Sequence, residues 1–370
     1  TIDESAATQI ATSLNSGTNV TVSTTEYAGG SSGSGLGYIY VFAPITKNSG
    51  AMASLTLEAD NIIYIDESIT STGDNALNFT AKAVDSVRVR GNAQILTNGG
   101  DIVLWSNSGN VTSGAGEHFI RLDAGTTLNS DGGNIVLAGG TDSNSDGYPD
   151  GFAYVGSSVT PPGSVFGASN PLQSGVSLGS LRNLTGAQVQ ILSNGGDITI
   201  RGQSDASATE SEGFGSQRAL KIDSGTGTIE IIGEQTSSGG GVGLRFGHFA
   251  YYPDVAITSA STSSPAIKIK GTSANRFGIW LGQGNTNSDQ AGMVLIQSSA
   301  TSGGGIEIEG STSGTSSEMY SIALWGDETS GYTTYQFLSN QGDITFLSTI
   351  DNVNSEIGIW SDTYLGQRKD

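Results

Sequence analysis

Apolar and polar residues alternate in short runs along most of the chain. The clearest runs follow a glycine-rich turn, in the segments NGGDIVL (98–104), DGGNIVL (131–137), NGGDITI (194–200) and NQGDITF (340–346). Alternation with a period of two residues indicates a β-strand that buries one of its faces. Because the same turn and strand return several times, the pattern predicts a repeat protein.

The repeat has a period of 38 or 39 residues in the second half of the chain, where its first inward residue is Ile229, Ile267, Ile306 or Ile344. The same strand occurs earlier at more variable intervals, with inward residues at Leu55, Leu77, Ile102, Ile135 and Ile198. The interval between the last two is the longest, so we expect a large insertion there.

Two more alternating strands lie between successive copies of this strand. After Ile267 they are FGIWLG (277–282) and MVLIQS (293–298). Three strands that return in a fixed order predict the coils of a parallel β-helix, because hairpins would reverse the chain and no helical stretch is long enough for a crossover. Parallel crossovers are nearly always right-handed. The sequence therefore predicts an all-β, right-handed parallel β-helix of about ten three-strand coils.

We expect one domain over residues 1–370, with four parts along the rod. Residues 1–18 have an acidic start, apolar residues four apart and a closing glycine, which predict a short helical cap. Residues 19–140 form the N-terminal coils, and residues 141–190 form a coil with the large insertion. Residues 191–370 form the C-terminal coils with the period of about 38 residues.

The strand register makes two further predictions about side chains. Inward pairs such as Leu55 and Leu57, or Leu77 and Phe79, stack into two apolar columns. Outward charges of alternating sign face each other on successive coils, at Glu230, Lys268, Glu307, Lys270 and Glu309. Each pair of opposite charges contributes roughly 0.2–1 kcal/mol.

The glycine turn itself is interpreted as a corner between strands. Glycine takes the positive φ angles that such corners need, and Asn or Asp tolerates them. A phosphate-binding loop would need a following helix, and the pattern predicts a strand there. We therefore expect the recurring turn to be structural.

Composition and charge exclude several classes of partner. The chain has no cysteine, so disulfides and thiolate metal sites are excluded. Its formal net charge of −20 argues against nucleic acid and against an anionic membrane surface. No apolar stretch is long enough to span a bilayer, so we expect no membrane insertion. The chain begins with Thr1, and we interpret it as a processed product or a segment of a longer secreted protein.

The segment DSNSDGYPDG (142–151) predicts a calcium site. Acidic or amide side chains at alternate positions around a glycine supply the hard oxygen ligands that Ca²⁺ prefers. The spacing resembles the calcium loops of thrombospondin type 3 and dockerin repeats, although Ala153 stands where an EF-hand has its glutamate. The alternative is a polar loop within the insertion. The candidate ligands are Asp142, Asn144, Asp146, Tyr148 through its carbonyl, and Asp150.

An aromatic strand of the C-terminal coils is a second candidate site. Arg245, Trp280, Trp325 and Trp360 occupy outward positions in the same strand of successive coils. Exposed tryptophans in a row could stack on sugar rings or on a protein partner. The alternative is that neighbouring loops, such as HFAYYPD (248–254), cover them to form a satellite core.

Catalysis has little support in the sequence. The histidines His118 and His248 stand alone, and the mixed charges of Asp85, Arg88 and Arg90 fit an ordinary outward strand. A polysaccharide-degrading β-helix would need clustered carboxylates in a groove. Ice binding would need a regular threonine face, which does not repeat in register. We therefore expect no enzymatic activity.

Three segments resemble the repeat regions of large bacterial surface adhesins of the filamentous-haemagglutinin type. They are LNSGTNVTVST (14–24), ITKNSGAMASLTLEADNIIYIDESITSTGDNALNFTA (45–81) and ILTNGGDIVL (95–104). The resemblance is clear from residue 8 to about residue 137 and continues as a strand pattern. It implies an exported, rod-forming β-helix that acts in attachment or in a biofilm matrix.

The expected function is therefore that of a non-enzymatic adhesion or matrix protein, secreted to the bacterial cell surface. Its partner would be a cell-surface glycan or receptor. The main alternative is a filament subunit that assembles with itself, head-to-tail or laterally, because an uncapped β-helix end presents unpaired strand edges. A glycan-binding or polysaccharide-degrading β-helix is a minor alternative.

Overall fold

The computed structural model describes residues 1–24, 36–156, 174–180, 188–207, 211–216, 219–239, 241–247, 254–282, 293–313, 320–325, 334–350, 356–360 and 363–367. Within these residues, one helix and a succession of short strands follow each other along the chain. The helix is α1 (Glu4–Asn15).

The strands, in chain order, have the following bounds: β1 (Val20–Ser23), β2 (Ile39–Val41), β3 (Ile45–Lys47), β4 (Ala53–Ala59), β5 (Ile63–Ile65), β6 (Ile69–Ser71), β7 (Leu77–Ala83), β8 (Val87–Val89), β9 (Gln94–Leu96), β10 (Ile102–Ser106), β11 (Glu117–His118), β12 (Ile120–Asp123), β13 (Thr127–Asn129), β14 (Ile135–Gly139), β15 (Ala153–Val155), β16 (Ser174–Ser180), β17 (Val189–Leu192), β18 (Ile198–Ser204), β19 (Glu212–Ser216), β20 (Leu220–Asp223), β21 (Ile229–Gln235), β22 (Val242–Phe246), β23 (Val255–Ser259), β24 (Ile267–Ser273), β25 (Phe277–Gly282), β26 (Met293–Ser298), β27 (Ile306–Thr312), β28 (Tyr320–Trp325), β29 (Thr334–Ser339), β30 (Ile344–Ile350), β31 (Glu356–Trp360) and β32 (Thr363–Gln367).

Three parallel sheets run along the rod, and each coil contributes one strand to each sheet. The first sheet has the order β1-β4-β7-β10-β14-β18-β21-β24-β27-β30, and β15 joins it beside β18. The second has the order β2-β5-β8-β12-β16-β19-β22-β25-β28-β31, and the third β3-β6-β9-β13-β17-β20-β23-β26-β29-β32. This order confirms the predicted parallel β-helix of ten three-strand coils with a short N-terminal helix.

The inward side chains form one continuous apolar core, as the alternation predicts. The column expected to contain Leu77 nevertheless has a different member at that coil. Phe79 pairs with Leu55 and with Ile102, whereas Leu77 pairs with Ala53. All five of these apolar residues are fully buried or nearly so. A displacement of two residues keeps every side chain on the same face, so alternation alone cannot detect it.

The glycine turn is a corner between the third and first sheets, and its residues have separate roles. At the NGGD turn, Asn194 and Gly195 have φ angles of 54° and 152°. Ser193 Oγ donates a hydrogen bond of 2.5 Å to the carbonyl of Gly196. A Cβ on Gly196 would lie 2.0 Å from the carbonyl oxygen of Gly133, one coil earlier. The same approach of one coil to the next occurs at Gly100, Gly133 and Gly227.

The polar residue that follows the two glycines forms a ladder between coils. Each side chain accepts a hydrogen bond from the backbone N–H of its counterpart one coil later. The N···O distances are 3.0, 2.7, 2.9 and 2.7 Å along the series Asn78, Asp101, Asn134, Asp197 and Thr228. The Asp or Asn of the motif is therefore needed as a hydrogen-bond acceptor for a backbone N–H of the next coil, because a buried or half-buried amide needs a partner.

A second set of glycines brings the first and second sheets into backbone contact. A Cβ on Gly202 would lie 2.2 Å from the carbonyl oxygen of Gly213, and a Cβ on Gly213 would lie 2.1 Å from the backbone nitrogen of Glu234. The same pairing occurs between Gly233 and Gly243 on the next coil. We call this contact the glycine seam, and it was not foreseen from the sequence.

The outward charge ladder is confirmed in part of its length. Lys268 Nζ lies 2.8 Å from Glu307 Oε1, and Lys270 Nζ lies 2.8 Å from Glu309 Oε1. Glu230 has the predicted register with Lys268, but its carboxylate pairs with Arg201 at 2.8 Å. The hydrogen bond to Glu307 raises the pKa of Lys268.

The helix α1 lies over the N-terminal end of the rod. Asp3 caps it by accepting the N–H of Ala6 at 3.0 Å, and the buried face packs Ile10 and Leu14 on the core. Asn15 Oδ1 accepts backbone amides of the turn after β3, at 2.8 and 3.1 Å. Ile2 pairs with Val41 at the free edge of β2. Within the described residues, no helix is long and apolar enough to cross a membrane.

Replacing Gly196 with alanine tests the corner geometry. The added Cβ would collide with the carbonyl of Gly133, so we expect a loss of about 1–3 kcal/mol in the free energy of unfolding. Urea unfolding followed by circular dichroism measures it. The matched control is Gly109→Ala, whose Cβ would meet its nearest neighbour at 3.6 Å. Equal stability of the two variants would contradict the close approach of Gly196 to the carbonyl of Gly133.

Candidate functional site

The predicted calcium loop is a compact turn whose acidic oxygens bind its own backbone. Asp142 accepts the N–H groups of Asp146 and Gly147 at 3.1 and 2.9 Å. Asp146 accepts the N–H of Tyr148 at 2.9 Å. At the other end of the loop, Asp150 Oδ2 accepts from the hydroxyl and the N–H of Ser143 at 2.5 and 2.7 Å, and these bonds lower the pKa of Asp150.

The loop supplies hard oxygens, but its carboxylates are directed at amides. Asn144 donates its side-chain N–H to Asp146 at 3.0 Å and accepts the N–H of the same residue through Oδ1. Across the described ranges, no group of three or more His, Cys, Asp or Glu side chains is placed to hold a metal ion. Calcium binding therefore stays a prediction, and it requires these side chains to turn from the amides to the ion.

The insertion that carries this loop is fastened to the outer face of the first sheet. Tyr148 donates a hydrogen bond of 2.7 Å to Asp101 Oδ2 and packs on an apolar cluster that contains Val103 and Val136. Trp105 Nε1 donates to the carbonyl of Gly140 at 2.7 Å. Burial raises the pKa of Tyr148. The insertion thus covers apolar residues that the alternation places outside the main core.

Arg245, Trp280, Trp325 and Trp360 do not form the single row that we expected. In the observed register Arg245 pairs with Trp280 and Trp280 with Ala323, whereas Trp325 pairs with Trp360. The four residues all occupy outward positions of this strand, and a displacement of two residues leaves the outward direction unchanged. The side chains of Trp325 and Trp360 lie outside the described part of the structure.

Arg245 and Trp280 are buried, which agrees with the alternative of a satellite core and not with exposed side chains. They are 1% and 4% exposed, in a satellite cluster that includes Phe277. The Arg245 guanidinium lies 4.1 Å from the Trp280 ring centroid and 3.3 Å from Glu212 Oε1. Ser174 Oγ donates to Glu212 at 3.1 Å. An arginine is tolerated in this cluster because it is paired with a carboxylate and stacked on a ring.

His118 does not stand alone, in contrast to the sequence interpretation. Its Nδ1 lies 3.0 Å from Asp85 Oδ1 and 3.1 Å from the carbonyl of Val84. Its Nε2 packs against Gly116, where a Cβ would lie at 2.3 Å, so this nitrogen faces backbone. The ring of Tyr154 lies 6.2 Å away. These contacts join β11 to β15 of the insertion. His248 lies outside the described residues.

Burial raises the pKa of two neighbouring acidic groups in this region, the Glu117 carboxyl and the Tyr154 hydroxyl. Burial raises the pKa of Glu117, and Arg88, at 2.9 Å, partly offsets the shift. Burial and the nearby carboxylate of Asp205 raise the pKa of Tyr154 to about 12. Arg88 was interpreted as part of an ordinary charged strand, and the structure gives it a half-buried carboxylate partner, Glu117.

A partly exposed aromatic surface lies on the second sheet at the N-terminal coils. We call it the aromatic–arginine face, and its residues are Tyr38, Tyr40, Phe42, Tyr64, Arg88 and Arg90. Tyr40 and Tyr64 stack with ring centroids 4.8 Å apart and an interplanar angle of 5°. Phe42 lies 5.4 Å from Tyr40, and Tyr38 lies 6.3 Å from Tyr64. Four rings thus form one contact network across two coils.

Arginine side chains of the third coil complete this face. The guanidinium of Arg90 lies 4.4 Å from the Tyr64 ring centroid, and that of Arg88 lies 5.4 Å from it. Asp66 holds Arg90 with two hydrogen bonds of 2.5 Å. Burial, followed by the neighbouring Tyr64, raises the pKa of Tyr40. Phe42 remains 52% exposed, which is unusual for a large apolar ring.

Sequence reasoning missed this face, although a signal was present. In the segment YIYVF (38–42), alternation places Tyr38, Tyr40 and Phe42 outward, and Tyr64 occupies the outward position of β5. The candidate stacking residues in the sequence were tryptophans of the C-terminal coils, and one coil by itself shows no row of tyrosines. Only the register Tyr40–Tyr64–Arg88 brings the three side chains together.

No family profile matches the chain, and neither a curated protein nor a solved structure matches it. The architecture is that of a β-helix repeat protein, and this assignment rests on the three parallel sheets alone.

The substitution Trp280→Ala tests the satellite cluster. Because the ring is buried against Arg245 and Phe277, we expect a loss of about 3–5 kcal/mol in stability. Urea unfolding measures the loss, with Met293→Ala on the neighbouring β26 as an exposed control. A stability equal to that of the control would contradict the burial of Trp280.

Titration with Ca²⁺ tests the 142–150 loop. If the loop binds the ion, calorimetry of the intact chain shows saturable heat, and Asp146→Asn weakens it because one charged ligand is lost. Asp74→Asn, at an exposed turn, serves as the control for surface charge. No heat with the unaltered chain, or equal heat with Asp146→Asn, would reject the calcium prediction.

Proposed function

We propose that the chain is a rod-shaped, non-enzymatic segment of a secreted bacterial adhesin or biofilm matrix protein. Ten coils at about 4.8 Å per coil give a rod of roughly 45–50 Å. A rod of this kind displays side chains at fixed spacing along its length, which suits attachment through an extended surface. The resemblance to filamentous-haemagglutinin-type repeats over residues 14–104 supports the same proposal.

The observation that carries the proposal is the aromatic–arginine face. Soluble proteins rarely leave clustered apolar rings exposed unless the rings contact a partner. Here Phe42 is 52% exposed beside three tyrosines, and Leu36, six residues earlier in the chain, is 73% exposed. On later coils, outward positions of the first sheet carry ion pairs such as Arg201 with Glu230 and Lys268 with Glu307.

The N-terminal helix favours attachment over head-to-tail assembly. α1 and Ile2 occupy the end of the rod where a preceding subunit would have to pair. Stacking through that end would require α1 to leave, which would expose Ile10 and Leu14. The filament alternative therefore requires a rearrangement that the adhesion proposal does not.

Electron microscopy and an adhesion assay together test the proposal. We expect isolated short rods, with and without chelator, and we expect beads coated with the chain to adhere to cells or to biofilm matrix. Coated beads that behave like albumin-coated beads would reject attachment. Long fibres of uniform width would favour the filament alternative instead. Release of reducing sugar from a matrix polysaccharide would reject the non-enzymatic part of the proposal.

A further inference from the structure

We propose that the aromatic–arginine face is a carbohydrate-binding site for a neutral polysaccharide. The inference rests on the proposed adhesion function and names the chemistry of the ligand. The site extends over three coils, from Tyr40 through Tyr64 to Arg90, which corresponds to roughly 10 Å along the rod. That length accommodates a short stretch of a sugar chain.

Accessible apolar rings provide the first half of sugar recognition. A pyranose ring has one face of C–H groups, which packs on an aromatic ring, and hydroxyls at its edge. Phe42 offers the most accessible ring, at 52% exposure, and it lies in one network with Tyr38, Tyr40 and Tyr64. Tyrosine adds a hydroxyl to each apolar surface, so the same residue contacts both parts of a sugar.

Polar groups of fixed orientation provide the second half. Arg90 donates hydrogen bonds from Nε and Nη2 to the Asp66 carboxylate, which holds the guanidinium in place. The N–H groups of Nη1 take no part in these two bonds. The Arg90 and Asp66 side chains are 29% and 25% exposed, so ligand hydroxyls can reach both. Ligand sites typically combine an apolar surface with a few oriented polar groups of this kind.

The electrostatics of the face favour a neutral ligand over an anionic one. Arg90 is paired with Asp66, and Arg88 is paired with Glu117 at 2.9 Å. Each guanidinium therefore has its charge balanced locally, and the whole chain carries a net charge of −20. A sulfated or uronic-acid polymer would meet long-range repulsion with no unbalanced cation to offset it. Hydroxyl groups need donors and acceptors but no net charge.

Affinity gel electrophoresis of the intact chain tests the inference. The probes are three soluble neutral polysaccharides (a β-glucan, a galactomannan and a xylan) and two anionic ones (heparin and polygalacturonate). We expect retardation by at least one neutral polysaccharide and by neither anionic one. Phe42→Ala and Arg90→Gln should each weaken the binding by about tenfold or more.

Two further variants separate binding from folding. Met52→Ala removes a side chain of similar exposure, 57%, at the corner between the third and first sheets, and should bind like the unaltered chain. Tyr64→Phe keeps the ring stack and loses only the hydroxyl, so it should bind more tightly than Tyr64→Ala. Because Phe42 is 52% exposed and packs on Tyr40 with the rest of its surface, Phe42→Ala should unfold at only a slightly lower urea concentration than the unaltered chain.

Three results would overturn the inference: no retardation by any neutral polysaccharide, equal retardation of Phe42→Ala and the unaltered chain, or retardation by the anionic polymers alone. The bead assay distinguishes failure of the carbohydrate-site inference from failure of the proposed adhesion function. Beads coated with Phe42→Ala that still adhere would leave adhesion standing and reject this site. Loss of gel retardation in Phe42→Ala, together with no bead adhesion by the unaltered chain, would leave the site standing and reject the function.

Discussion

Parallel pairing between successive coils is the interaction on which the rest of the structure depends. A single coil cannot bury its apolar face, and stacking supplies both the core and the backbone partners. The coils lie only about 4.8 Å apart. Wherever the chain bends, the backbone of one coil therefore occupies the space that a side chain of the next would need. Gly133 and Gly196 meet this constraint at the corners, and Gly202 and Gly213 meet it at the glycine seam. Among the described residues, the glycines at the corners and at the glycine seam are thus required by close packing.

The outer surface of the rod changes character along its length. On the middle coils the insertion covers Trp105 and its neighbours, and on later coils Glu212 and Arg245 are buried beside Trp280. These satellite clusters enclose apolar residues that would otherwise be exposed. At the N-terminal coils the tyrosines of the second sheet are stacked and half-buried, and Phe42 beside them is 52% exposed. Under the proposed function, this difference directs attachment to the coils nearest α1.

The proposed function and the proposed ligand use the rod in different ways. Attachment needs a stiff body that holds a contact surface away from its point of anchorage, and the continuous core supplies that stiffness. Recognition needs a few side chains held at fixed positions, and the coil-to-coil register supplies those positions. The stack of Tyr40 on Tyr64 exists because β2 and β5 pair in register. A solenoid can therefore acquire a binding site through substitution on neighbouring coils, with no change of its core.

The sequence by itself determined the fold class, the inward and outward faces, the helix at the N-terminus and the opposite charges of Lys268 and Glu307. Each of these follows from a local period or from a short motif, and the alternation behind the fold class and the two faces is repeated many times along the chain. Only the tertiary structure decided which residues lie side by side. Phe79 replaced Leu77 in its column, Trp280 lies beside Ala323, and Tyr40, Tyr64 and Arg88 form one face. The physical reason is that strand alternation has a period of two residues. A displacement by two residues keeps each side chain on the same face of its sheet. The alternation therefore determines which side chains point inward, and contacts between coils determine which residues pair.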